Sequence, residues 1–291
     1  MGIPVETYDC ICSCPGRHDL PPIGVFDSGV GGLTVWRELR RQLPQEELLY
    51  FGDTARLPYG QRSPAEILQY VREILAWMID HPVKMVVMAC NTSSALALDQ
   101  VRSESPVPLL GLILPGARAA VAAGSRIGVI ATPATVASHA YLRAISEVSG
   151  FRNQQVICWE QPCPEFVPLI EANQLQSQDL MAAIHQNLDP LLHQGIDTLV
   201  YGCTHYPLLD PLLRPLLPPQ VTVIDPAQAL VKAAVQELEL WGLRRLDSAA
   251  PTHTFYVSGD PESFTLLASH WLNQPLVVKQ IQLQPVSSFP R

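Results

Sequence analysis

From residue 23 onward, short apolar runs alternate with amphipathic stretches, which predicts a parallel sheet wrapped by helices. "IGVFD" (23–27), "LLYFGD" (48–53) and "VKMVVMA" (83–89) are almost wholly apolar, as strands covered on both faces should be. "SGVGG" after the first run predicts a tight turn, and 33–42 has helical spacing. Ser63-Pro64-Ala65-Glu66 combines an N-cap, a proline at the first helical position and a capping-box glutamate, opening a helix to about residue 80.

The pattern then restarts. "RIGVIAT" (126–132) repeats the Ile-Gly-Val of 23–25, and Thr132-Pro133 opens a helix that Gly150 is expected to stop. A helix near 178–193 leads into "IDTLVYG" (196–202), an apolar run ending at Cys203 as 83–89 ends at Cys90. After "VTVID" (221–225), Pro226 starts a helix to about Trp241. Strands near 253–258 and 276–281 flank one more helix, and this tail is expected to complete the first sheet. The predicted fold is α/β: two pseudo-symmetric, doubly wound domains with mostly parallel sheets and a cleft between them. Residues 23–115 plus 226–285 form the first and 116–225 the second. Residues 1–22 lack periodicity and are expected to be a poorly ordered extension. The alternative there is a metal clip of Cys10, Cys12, Cys14 and His18, but the spacing is not C-x-x-C.

Composition narrows the function. The chain has 291 residues, 47% hydrophobic and 16% charged, a globular balance with ample core. A net charge of −8 with scattered basic residues argues against nucleic acid or an anionic membrane surface as partner. The longest apolar stretches, 83–90 and 107–114, are too short to span a bilayer. No basic start followed by an apolar stretch marks a secretory leader. Seven cysteines, an odd number, point to free thiols in a reducing cytoplasm.

The chemistry centres on Cys90 and Cys203. Ligands of open α/β sheets bind at the carboxyl ends of strands, where helix N-termini lower a thiol's pKa. Each cysteine is followed by short polar residues, Asn91-Thr92 and Thr204-His205. Alone, either could be a core thiol; neither has a partner at metal spacing. As a pair on opposite walls of a cleft, two thiols suit reversible proton transfer at a carbon, that is, racemisation. A thiol hydrolase would need one thiol, a base such as His205, and an oxyanion hole. Asp27 could hold a substrate ammonium or cap the next helix. The loop Asp27-Ser28-Gly29-Val30-Gly31-Gly32 resembles a phosphate loop but lacks its spacing and its lysine, and could instead let backbone approach a carboxylate. Asp53 and Arg56 fit a loop ion pair. Tyr59 and Gly60 offer a hydroxyl and an amide, or only a turn. Glu171 fits a surface position. Cys158 and Cys163, without polar settings, are taken as structural.

Several blocks then resemble one family. "IGVFDSGVGGLTV", "YFGDTARLPYG", "ACNTSSA", "IGVIATPATV", "CPEFVPLIE", "YGCTHYPLL" and "VIDPAQAL" are similar, in order and collinearly from about residue 23 to 230, to the glutamate racemases of the aspartate/glutamate racemase family. The resemblance implies a two-base 1,1-proton transfer between L- and D-glutamate, without cofactor or metal. It implies Cys90 and Cys203 as catalytic thiols, assisted by Asp27, Glu171 and His205. Substrate contacts would come from Asp27, Ser28, Tyr59, Gly60, Asn91, Thr92, Thr204 and His205. It further implies a cytoplasmic homodimer that supplies D-glutamate for peptidoglycan. Leu114 and Ser93 depart from the family pattern, away from these positions. An aspartate racemase of the same architecture and a non-catalytic amino-acid-binding protein are the rival expectations.

Overall fold

Parallel pairing runs through both sheets of the computed structural model, which describes residues 20–246 and 250–286. The strands are β1 (Ile23–Asp27), β2 (Leu48–Gly52), β3 (Met85–Met88), β4 (Leu109–Gly111), β5 (Arg126–Ala131), β6 (Ile157–Pro162), β7 (Thr198–Gly202), β8 (Thr222–Ile224), β9 (His253–Val257) and β10 (Val278–Gln280). One sheet has the order β10-β9-β2-β1-β3-β4 and the other β6-β5-β7-β8. Within the first, β2-β1-β3-β4 repeats the order of the second, so β1 matches β5 and β3 matches β7. The expected α/β fold is therefore present, and the C-terminal strands extend the first sheet past β2. The expected N-terminal extension, and the alternative clip of Cys10, Cys12, Cys14 and His18, lie outside the described residues.

Alternate residues of a strand face opposite helical layers, which is why the central strands are apolar throughout. Val25, Tyr50 and Val87 pack with helices Leu33–Gln42 and Pro226–Leu240, whereas Phe26, Phe51 and Met88 meet helix Pro64–Asp80. In the second sheet, Val129 and Val200 face helices Ile113–Ala123 and Ala140–Phe151, and Ile130 and Tyr201 face Gln178–His193. Each such side chain, fully buried, contributes about 1.5–3 kcal/mol. The position 115/116 expected as a domain boundary falls inside helix Ile113–Ala123. The capping box forms: Ser63 Oγ accepts from Glu66 N at 3.3 Å, and Glu66 Oε2 accepts from Ser63 N at 2.9 Å.

The helix expected to run from Thr132 to Gly150 is instead two, Pro133–Ser138 and Ala140–Phe151. His139 breaks it in the left-handed region at φ 52°, with its Nδ1 bonded to Glu160 at 2.9 Å. Gly150 does not stop the second helix. The turn comes after it, at Asn153 with φ 53°. Among the described residues, no helix is long and apolar enough to cross a membrane.

Candidate active site

Cys90 follows β3 and is itself the N-cap of helix Asn91–Leu96, with Sγ accepting from Ser93 N at 3.5 Å. A thiol thus takes the capping place that serine or threonine usually fills, in the field of the helix amides. Burial nevertheless pushes Cys90 up to about 12, and the charge of Asp27 adds to the effect. Asp27 ends β1 and is fully buried; its Oδ1 accepts from Gly29 N at 2.7 Å and its Oδ2 from Thr204 Oγ1 at 3.3 Å. Burial raises its pKa against the opposing pull of His205 and the Gly29 and Gly32 amides. It does not cap the next helix, whose N-cap is Gly32.

Cys203 follows β7 and has a different neighbour. Its Sγ lies 3.7 Å from His205 Nδ1, while His205 Nε2 lies 3.0 Å from Glu171 Oε1. Burial disfavours a charged imidazole, yet the hydrogen bonds to Cys203 and Glu171 lift it to about 10. The glycine loop makes room for this. A Cβ on Gly31 would strike the His205 ring and Thr204 Oγ1, and one on Gly32 would sit 2.8 Å from the Tyr50 hydroxyl. Gly31 thus serves close approach between the two halves, and Gly32 close packing of the loop against β1 and β2 of the first. The loop's first amide is held by the chain's own Asp27.

Ser28, Tyr59, Gly60, Cys90, Asn91, Thr92, Cys203, Thr204 and His205 border one cavity of about 50 Å³. Asp27 stands behind Thr204, and Glu171 behind His205, on the wall of a second cavity of about 710 Å³. Tyr59 offers the first cavity backbone and ring only, because its hydroxyl donates to Asp53. Asp53 also takes Arg56 Nε at 2.6 Å and Ser258 Oγ at 2.7 Å, so the loop ion pair braces this wall. A space of about 50 Å³ holds a few waters and is far below the usual 300–1,000 Å³ of ligand pockets. The space as it stands is too small for an amino acid, so its walls must move apart to admit one.

The polar contacts that cross between the halves near the site are donated by hydroxyls. Thr34 Oγ1 donates to Thr204 O at 3.0 Å, Thr204 Oγ1 to Asp27, and Tyr141 to Asn91 Oδ1 at 2.6 Å. Thr92 Oγ1 lies 3.0 Å from Thr132 Oγ1 and 3.2 Å from Thr135 Oγ1. Among the described residues no salt bridge joins the halves. Thr135, Tyr141 and Thr132, which the sequence marks only as a helix start, were not placed at this site from the sequence. Nor was Cys163, taken there as structural, which lies on the cavity wall. Burial keeps Cys163 a neutral thiol, with Sγ turned 3.6 Å from Gln161 O. Cys158 lies within β6, away from the cavity.

With two thiols at equivalent strand ends, comparison with known proteins becomes decisive. The family model described as Asp/Glu/Hydantoin racemase matches residues 23–234. The chain belongs to this racemase family. A glutamate racemase of Rippkaea orientalis (strain PCC 8801 / RF-1) is 60% identical to this racemase over 262 residues, 90% of this chain and 92% of that protein. The crystal structure of glutamate racemase isoform RacE1 from Bacillus anthracis superposes with a TM-score of 0.86 at 36% identity, covering 93% of this chain and all of that one. The glutamate racemase of Francisella tularensis in complex with D-glutamate gives 0.83 at 32% identity over 92% of this racemase and 99% of that chain.

Proposed function

We propose that this racemase interconverts L- and D-glutamate by a two-base 1,1-proton transfer without cofactor, with Cys90 and Cys203 as the two bases. The observation that carries the assignment of roles is the pair of thiols at matching ends of β3 and β7, both bordering one cavity. In one direction a thiolate on one wall takes the α-proton: the Cα–H bond breaks and an S–H bond forms. The thiol on the other wall then gives its proton to the opposite face of Cα and becomes the thiolate. The enzyme returns to its starting state in the reverse reaction or by proton exchange.

A proton beside an ionised carboxylate is a weak acid, so the charge that develops there needs donors. Asn91, Thr92 and Thr204 border the cavity and supply them, while Ser28 and the Tyr59–Gly60 backbone complete the substrate's surroundings. Closure of the two halves excludes water and strengthens each of these bonds. Asp27 acts beside Cys90, and the Glu171–His205 pair beside Cys203. The D-glutamate made would supply peptidoglycan synthesis in the cytoplasm, with a homodimer as the working unit, as the family resemblance implies.

Incubating pure protein with L-glutamate in D₂O tests the proposal. Loss of circular dichroism together with deuterium at Cα is the expected result. Inversion of L-aspartate but not L-glutamate would replace the substrate, and binding without α-deuteration would make the chain a binding protein.

A further inference from the structure

Asn91 sits at the start of helix Asn91–Leu96 and borders the cavity, but its amide can present either of two faces to a ligand. The oxygen would repel a substrate carboxylate, whereas the NH₂ group would donate to it. We propose that Tyr141 is a positioning residue that fixes the Asn91 amide with its NH₂ group toward the substrate. The inference rests on the glutamate reading above for the identity of that substrate.

The geometry decides the direction of the bond. The Tyr141 oxygen lies 2.6 Å from Asn91 Oδ1, inside the range of O–H···O bonds and short of the 2.7–3.2 Å usual for N–H···O. The phenol therefore donates and the amide oxygen accepts, which leaves the amide nitrogen free. Among the described residues no hydrogen bond within the chain uses Asn91 Nδ2, although the residue is only 3% exposed. Its two protons have the cavity as their outlet.

Tyr141 is held firmly enough to impose this choice. It is fully buried in helix Ala140–Phe151, with Ile145, Val129 and Ala117 in the same core cluster. A Cβ on Gly116 would already come within 3.3 Å of its ring. Burial, with the charges of Asp225 and Cys203, keeps the phenol protonated well past the ordinary range, so it remains a donor. The bond also spans the two halves, from a helix after β5 to the residue after Cys90. The amide is thus oriented when the halves are together, at the moment when water is excluded.

The test is a double-mutant cycle of Tyr141→Phe and Asn91→Ala, with kcat/KM for glutamate measured in both directions. The phenylalanine keeps the ring and removes only the hydroxyl. A lost neutral hydrogen bond predicts that Tyr141→Phe alone lowers kcat/KM roughly three- to tenfold, with little change in melting temperature. In the Asn91→Ala background the same change should have less than about a twofold effect, because the amide it orients is gone. Independent, multiplying losses would overturn the proposal, since a merely structural tyrosine would give them. So would an unchanged kcat/KM for Tyr141→Phe. Asn91→Asp leaves Tyr141 intact and turns the cavity-facing donor into an acceptor. It should weaken D-glutamate binding by calorimetry at least tenfold, and unchanged affinity would refute the assigned orientation even if Tyr141→Phe failed to fold. If wild-type protein bound glutamate without inverting it, the catalytic reading would fail, while calorimetry of D-glutamate with Tyr141→Phe and Asn91→Asp, each expected to bind more weakly than wild type, would still decide the proposal.

Discussion

Cys90 and Cys203 stand at the same place in two copies of one strand order, yet their surroundings are unlike. Cys90 caps a helix, and burial, with the charge of Asp27 added, pushes its thiol up to about 12. Cys203 has no helix to cap; its sulfur lies 3.7 Å from His205 Nδ1, and the hydrogen bonds to that sulfur and to Glu171 lift the imidazole to about 10. One wall therefore keeps its proton, and the other has a cation ready beside its sulfur. Topology decides where the two thiols sit, and the side chains around them make the two walls differ. On the proposed mechanism, a reaction with mirror-image faces would be served by an asymmetric pair.

The strongest way to break this comparison is to remove one thiol at a time. Cys90→Ala and Cys203→Ala should each lower racemisation by roughly 10⁴-fold, the upper end of what a positioned acid or base supplies. Each variant should still exchange the α-proton of one enantiomer in D₂O, and the two should exchange opposite enantiomers. Exchange of the same enantiomer by both would mean that the thiols do not act on opposite faces.

His205→Asn sharpens the difference between the walls. Loss of the imidazole should cost roughly 10²-fold in rate, read from initial velocities. It should also change the response of stability to pH. A folded pKa near 10, raised from the ordinary 6.5, contributes stability fully below pH 6.5 and loses it as pH rises through about 10. Wild-type melting temperature should therefore fall across that window more steeply than that of His205→Asn. Parallel curves would show that the imidazole is not held charged.

Gly31→Ala should come next in size. Its new methyl must displace the His205 ring or the Thr204 hydroxyl, an overpacking that costs about 1–3 kcal/mol by chemical denaturation. Activity should fall more than stability, because the displaced groups border the cavity. Thr135→Val should have the smallest effect, about 1 kcal/mol, through loss of the hydroxyl's two contacts, with Thr92 and with Thr132. A larger loss of rate than of stability there would give Thr135 a part in substrate contact.

Much of the fold was legible because buried parallel strands are apolar on both faces, and their runs ended within one residue of the ends of β1, β3, β5 and β7. β6 escaped notice because it is an edge strand: its residues are half-exposed to exposed, and Glu160 and Gln161 interrupt the apolar run. The two thiols were legible as strand-end cysteines with polar followers. Thr132 was read only as a helix cap, although the Ile-Gly-Val repeat, carried along β1 and β5, sets it opposite Ser28. Both hydroxyls border the cavity. Tyr141 could not be found this way. Its position within a helix pattern looks like core, which it also is, and only the tertiary fold brings its oxygen to Asn91.

The hydroxyl-donated contacts between the halves have a consequence for how the enzyme meets its medium. Bonds between neutral groups, or from a neutral group to one buried carboxylate, are hardly affected by dissolved ions, whereas a clasp of exposed ion pairs would loosen as salt rose. Parting of the halves should then proceed at much the same rate in dilute and in concentrated electrolyte. Ionic strength would then act on the charged substrate and hardly at all on the contacts that hold the halves together.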